Sequence, residues 1–454
     1  MGRRFALLLI ALVASILVSC GRVDPPENSG ELVIGIVAGE TTYQNDAGVI
    51  SGFEYDLLEK FAGSSNLKTR YLLLKDQGAL LDALHANRIH VAVGIAVDVD
   101  AGLLYSAPVL ESNQVIVGHA DDLSIEEQPL ELSGRTIETL LDSPQTATLL
   151  TLAKTSPGIT VVEVAGSSSR DLLQRVAEAK SHLAATDALN YSLALKSFPD
   201  LTVVEELPGK IRTGWAFLPK NQMLLQSANR YIDATRKDGS LARLQDRYFG
   251  HIQRIKAEGI ARFIHDIQIQ LPRYRMQFQA AQVASGIDWR MIAALAYQES
   301  KWDPLATSFT NVRGMMMLTE DTADRMGVDN RLDTAQSIRA GARYLAALLE
   351  ELPEEIIEPD RTWLGLAAYN LGMGHLNGAR TFAKQMKRDS TSWYDMKKVL
   401  PLMSQPEYYV RLKAGPARGG EAVIMVENIR NYFDILSRIE PAWQPTPKLS
   451  LGTR

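Results

Sequence analysis

Asp288-Trp289-Arg290-Met291-Ile292-Ala293-Ala294-Leu295-Ala296-Tyr297-Gln298-Glu299-Ser300-Lys301-Trp302-Asp303-Pro304 reads as one short helix bounded at both ends. Asp288 follows Gly286-Ile287 and is placed to cap the first free N–H groups, while Pro304 forbids continuation past Trp302-Asp303. Ile292, Leu295 and Ala296 recur at helical spacing, and Glu299 lies seven residues after Ile292, so a carboxylate prolongs the apolar stripe. A carboxylate near a helix C-terminus opposes the macrodipole, and partial burial disfavours its ionised form. Both effects raise its pKa, and a Glu held protonated near neutral pH is what a general acid requires. Most helical Glu residues are solvated surface groups, so this helix nominates Glu299 without deciding its role.

Working outward, the surrounding residues 251–454 carry no long β run and predict a mainly α unit, with turns at Gly327, Pro353 and from Gly415 to Gly420. The chain of 454 residues is too long for one ordinary core. Its charge is uneven: residues 1–252 hold 22 Lys+Arg against 30 Asp+Glu, and residues 253–454 hold 26 against 23, which implies two units with different surfaces. Neither unit has the concentrated basic face of a nucleic-acid binder.

At the N-terminus, Arg3-Arg4 precede an apolar run from Phe5 to Val18, too short for a comfortable membrane span, and Leu17-Val18-Ser19-Cys20 follow. Cys20 is the one cysteine, which excludes an intrachain disulfide and multi-Cys metal sites. Residues 1–20 resemble a bacterial lipoprotein signal, which implies cleavage before Cys20 and lipid on its thiol; a plain secretory signal and an uncleaved anchor are the rivals. Gly21 stands where an Asp would resemble an inner-membrane retention signal, so the resemblance implies the periplasmic face of the outer membrane. Residues 21–30, with Pro25-Pro26 and Asn28-Ser29-Gly30, predict a flexible tether.

Residues 31–250 alternate strand-like and helix-like runs, which predicts parallel strands with crossover helices. Strands are expected at Leu32 to Val37, Lys68 to Leu74, Val91 to Val97, Val115 to Val117, Ile159 to Val164, Leu183 to Ala185 and Thr213 to Leu218. Gly52-Phe53-Glu54-Tyr55-Asp56-Leu57, Tyr105-Ser106-Ala107-Pro108 and Asp238-Gly239-Ser240-Leu241 resemble bacterial extracellular solute-binding proteins of the amino-acid-binding type. The resemblance implies two α/β lobes with a ligand cleft between them. In that family an Arg shortly before the Tyr-Ser-x-Pro segment forks onto the ligand carboxylate, but here Asp98 to Leu104 contain no Arg, which argues against a standard free amino acid. Tyr43, as a stacking aromatic, and Asp187, as an ammonium partner, are the candidate pocket residues.

After a connecting segment over 251–270, residues 271–440 contain three separated motifs, and residues 441–454 form a tail. The motifs are Gln298-Glu299-Ser300 with Trp302-Asp303-Pro304, then Val312-Arg313-Gly314-Met315-Met316-Met317-Leu318-Thr319, then Leu366-Ala367-Ala368-Tyr369-Asn370-Leu371-Gly372. In this order they resemble the lysozyme-like soluble lytic transglycosylase domain. With the lipobox and binding module ahead of it, the chain is similar to the membrane-bound lytic murein transglycosylases. The resemblance implies peptidoglycan glycan strands as substrate, Glu299 as the single acid and base, and Ser300, Met317, Tyr369 and Asn370 as substrate-binding residues. A murein-derived peptide is the corresponding guess for the binding module. No cofactor is expected, and the seven histidines make no HExxH or paired metal-binding spacing.

Two departures stand out: Pro416 in Gly415-Pro416-Ala417-Arg418-Gly419 and Met425 before Val426-Glu427-Asn428-Ile429 each replace a Tyr of the family pattern. A hydrolytic muramidase would need a second carboxylate, for which Glu320 and Asp321 are the nearest candidates in sequence. A murein-binding receptor that leaves glycan unchanged is the non-enzymatic alternative.

Overall fold

The strand Glu31–Val37 is buried from Leu32 to Ile36, as a strand covered by helices on both faces must be. It pairs in parallel with Lys68–Leu74, Glu31 opposite Lys68 and Val37 opposite Leu74, and on its other side with Val91–Ala96. The computed structural model describes residues 22–122 except 47, 132–410 except 157, and 415–444. The signal segment with Cys20 and most of the expected tail lie outside them. The chain divides into two units, Met1–Tyr248 and Phe249–Arg454.

The first unit is a two-lobed α/β structure whose described residues form a nine-stranded mixed sheet, eight strands along one path and the short Leu104–Tyr105 beside it, paired with Leu201–Phe217. The path runs Lys68–Leu74, Glu31–Val37, Val91–Ala96, Leu201–Phe217, Leu110–His119, Leu183–Asp187, Thr136–Leu140, Thr160–Val164. Within each lobe the outer strands are parallel, but the all-parallel expectation fails at the centre. There Leu201–Phe217 and Leu110–His119 run antiparallel along ten paired positions, from Leu201 opposite His119 to Thr213 opposite Leu110. These two strands pass through both lobes. Pro208-Gly209 fall at a register shift between Leu207 and Lys210, which lets a Pro sit inside a 17-residue strand.

Each lobe has its own core. Val33, Leu80, Leu84, Ile89 and Ile95 pack one, and Val115, Val117, Leu172, Leu173 and Val176 the other. The flexible tether expected over 21–30 is instead packed from Val23 onward. Val23 N–H donates to the Asn87 carbonyl at 2.8 Å, the His90 ring bonds the Asp24 carbonyl at 2.7 Å, and Pro26 is buried in a helical turn, Pro26–Ser29. Backbone partners and an apolar seat outweigh the entropy that favours a loose chain.

The second unit is mainly helical, and among its described residues β structure is limited to isolated bridges at Thr307–Arg313 and Arg313–Leu318. The expected connecting segment contains the helix Ala257–Ile269, which belongs to this unit's core. Ile260, Phe263 and Ile267 are buried, and Phe263 stacks against Tyr297 and Tyr432 with centroids 4.4 and 4.5 Å apart. Spacings of three, four and seven residues give that helix an inward face of its own. The helix Trp289–Ser300 is enclosed on every side from Trp289 to Tyr297, so it threads the unit instead of covering it.

Candidate active site

Both ends of the helix Trp289–Ser300 are fixed by side chains. Asp288 accepts from the Arg290 N–H at 2.8 Å, and the Arg290 guanidinium returns to the same carboxylate at 2.7 Å. At the other end Lys301 and Trp302 adopt φ of 55° and 60°, a left-handed reversal that closes the helix three residues before Pro304. The reversal folds the Trp302 indole back onto the helix, where its N–H donates to the Ala293 carbonyl at 2.9 Å. Two positive φ values on large side chains are strained, and the completely buried indole holds them.

Glu299 lies in the last turn, where the buried helix comes half into the open. Burial pushes its carboxyl up to about 8, and the Lys301 ammonium partly opposes the shift. Among the described residues none hydrogen-bonds its oxygens. The group is therefore a protonated acid at neutral pH, free to meet a substrate. Lys301 was not singled out from sequence. Although the residue is largely exposed, its ammonium rests against two buried rings, 4.5 Å from the centroid of Tyr297 and 5.0 Å from that of Tyr432. Burial, then Arg262, lowers its pKa to about 8, against Asp266 and Glu299.

The three sequence motifs meet through hydrogen bonds to one loop. Ser300 Oγ donates to the Met315 carbonyl at 2.8 Å, and Tyr369 Oη donates to the Met316 carbonyl at 2.9 Å. Gly314 makes the loop possible: its φ is 81°, and a Cβ there would lie 1.9 Å from the Arg331 carbonyl oxygen. Of the Met triplet, Met315 and Met316 are core, whereas Met317 is half-buried with φ 46°. Tyr369 is half-buried against Tyr344, centroids 5.3 Å apart, and its hydroxyl pKa is raised by burial and by the nearby Glu299. Asn370 is exposed beside it in the last turn of the helix Asp360–Leu371. Asn428 Nδ2 donates to Gln298 Oε1 at 3.2 Å, bringing the helix Gly419–Ile439 against the acid's neighbour. Pro416 is exposed and Met425 is buried in that helix's core face. Glu320 and Asp321 are exposed in the first turn of the helix Glu320–Met326.

In the first unit, Asp187 lines a cavity between the lobes, where it also caps the helix Ala188–Ala194 by accepting from the Leu189 and Asn190 N–H groups. Tyr43 does not line that cavity. It is 8% exposed, with its ring 5.7 Å from both Tyr55 and Tyr71, so the stacking role expected for it is taken by packing. Glu54, quoted only as part of a motif in sequence, does line the cavity.

Comparison with known proteins follows the same division. Residues 32–251 match the bacterial extracellular solute-binding proteins, family 3, and residues 276–392 match the Transglycosylase SLT domain. The first unit is similar to an arginine-binding protein mutant from T. maritima, at 19% identity and a TM-score of 0.43 over 50% of this chain and 97% of that one. The membrane-bound lytic murein transglycosylase F of Thiobacillus denitrificans is 39% identical over 99% of this chain and 96% of its own length. That of Nitrosospira multiformis is 38% identical over 97% and 94%. With both domains matched in order and relatives this similar along nearly the whole length, the chain belongs to the membrane-bound lytic murein transglycosylase F family.

Proposed function

We propose that this chain cleaves the β-1,4 bond between N-acetylmuramic acid and N-acetylglucosamine in peptidoglycan without water, leaving 1,6-anhydro-muramyl ends. The observation that carries the mechanism is Glu299 itself, a carboxyl raised to about 8 by burial, whose oxygens have no hydrogen-bond partner among the described residues. Glu299 donates its proton to the glycosidic oxygen as the bond from that oxygen to the muramyl anomeric carbon breaks. The resulting carboxylate takes the proton of the six-position hydroxyl of the same sugar while that oxygen closes on the anomeric carbon. The proton returns to Glu299 and no water is consumed. Ring closure is favoured because the nucleophile is already tethered to the reacting sugar. Ser300 and Tyr369 hydrogen-bond the loop that carries Met317, and Ser300, Met317, Tyr369 and Asn370 form the substrate-binding set.

A hydrolytic muramidase needs a second carboxylate within reach of the anomeric centre. The exposure of Glu320 and Asp321 on a helix start speaks against that reading. Mass spectrometry of purified murein digested by the chain lacking residues 1–20, beside Glu299→Gln, tests all three readings. Anhydro ends present with the parent and absent with the variant support the transglycosylase; reducing ends would make it a hydrolase, and bound but uncut glycan a receptor.

Among the described residues no helix is long and apolar enough to cross a membrane. Attachment is by lipid on Cys20, at the periplasmic face of the outer membrane, a reading supported by the likeness of residues 1–20 to a lipoprotein signal. The first unit senses a ligand and modulates cleavage, a murein-derived peptide being the proposed effector. Modulation requires that the ligand prefer one conformational state over another. Calorimetry that finds no binding of murein peptides would remove that effector.

A further inference from the structure

Val23 comes three residues after Cys20 and is already part of the fold. Its N–H donates to the Asn87 carbonyl at 2.8 Å, its carbonyl accepts from Asn87 Nδ2 at 3.3 Å, and its side chain packs on the core that holds Leu84 and Ile89. The next residue is also tied down. His90 Nδ1 accepts from the Val33 N–H at 2.9 Å, so the ring proton sits on Nε2 and is donated to the Asp24 carbonyl at 2.7 Å. Pro26 is then buried in the turn Pro26–Ser29, directly ahead of the strand Glu31–Val37.

Gly21 and Arg22 are thus all that separates Cys20 from a residue fixed to the first lobe. Three residues of fully extended chain reach about 10 Å. That is close to the Debye length of about 8 Å at physiological salt, so charges where the chain leaves the lobe act on the surface that holds Cys20. Arg22 and Arg88 are the chain neighbours of the bonded pair Val23 and Asn87, and both are exposed. Among the described residues neither guanidinium has an ion pair or a hydrogen bond. Asp24 and Glu27 are exposed nearby, so the charge of this face does not seek a membrane unaided; the lipid delivers it there.

We propose that this face, from Arg22 to Asp24 and from Ala86 to Arg88, rests on the phospholipid leaflet that holds Cys20, with Arg22 and Arg88 against lipid phosphates. The proposal rests on the lipid-anchor reading of Cys20 and adds a fixed orientation to it. So short a free segment leaves the first lobe no freedom to stand clear of the leaflet.

The lipidated full chain in vesicles of phosphatidylethanolamine and phosphatidylglycerol tests this. Lipid occupies the one native thiol, so Ala86→Cys and Val162→Cys, both at exposed positions, each take a single fluorophore. Val162 lies in Thr160–Val164, six strand spacings along the sheet from Glu31–Val37, roughly 29 Å. Nitroxide on the lipid headgroups is expected to quench the label at Ala86→Cys at least threefold more than the label at Val162→Cys. A Gly-Ser spacer of about twenty residues between Gly21 and Arg22 is expected to cut that difference at least twofold while the protein stays with the vesicles. Arg22→Gln combined with Arg88→Gln is expected to do the same. Equal quenching at the two positions, or a difference that survives the spacer, overturns the proposal, and one that survives loss of both arginines overturns the phosphate contacts. Intact mass separates the two readings: if Cys20 carries lipid, a negative result removes the docked face alone, and if it carries none, the anchor and the docked face fall together.

Discussion

Glu299 is protonated at neutral pH because the helix that carries it is enclosed almost to its end, and only Lys301 pulls the other way. The folded chain keeps this proton up to about pH 8, whereas an unfolded chain gives it up near 4.5, so the site loses stability as pH rises through that window. Glu299→Gln removes the dependence. The expected outcome is a rate lower by about a thousandfold together with a melting temperature higher by about 2–4 °C at pH 8, read by product analysis and calorimetry. Lys301 tunes the acid from outside the reacting groups. Lys301→Met is expected to move the basic limb of the pH–rate profile upward, since a neighbouring positive charge favours the carboxylate, and Lys301→Arg to leave it in place. An unmoved limb in the Met variant would sink that role. Glu299 was legible in sequence because its conflict with macrodipole and burial is local to one helix. Tyr43 and Lys301 were not, because their partners Tyr55, Tyr71 and Tyr432 come from other elements.

At the scale of elements, the site is a loop tied to two helix ends. Tyr369→Phe leaves the Met316 carbonyl without its donor, and a loss of about 1–2 kcal/mol in urea denaturation is expected with reduced murein cleavage. Gly314→Ala meets both a left-handed φ and the Arg331 carbonyl, so about 2–4 kcal/mol is expected from the same measurement. Elements announced by periodicity and caps were read closely: the strand Lys68–Leu74 has the limits expected for it. The strand Thr136–Leu140 went unread because Glu138 sits within it, and a carboxylate there is accounted for by the distant Arg175 fork, at 2.7 and 2.8 Å, with Ser181 beside it. Of Leu201–Phe217 only the end from Thr213 onward was read, because the register shift that accommodates Pro208-Gly209 is set by the partner strand.

Across the whole molecule, a solute-binding-like unit and a transglycosylase unit follow one another, divided at Tyr248–Phe249, matching the change in charge balance along the chain. If lipid on Cys20 is the attachment, Cys20→Ser is expected to move the protein from the membrane fraction to the soluble periplasmic fraction, with cleavage of isolated murein unchanged. The two long central strands bear on how the first unit is made. Its first lobe takes strands from the start of the chain and the end of Leu201–Phe217, so the second lobe is nested inside it. A chain emerging N-terminus first can complete the inner lobe while the outer one still waits for Thr213 to Ala216, which pair with Val91–Ala96. The residues made earliest therefore finish folding late, exposed for an interval set by the length of the inner lobe.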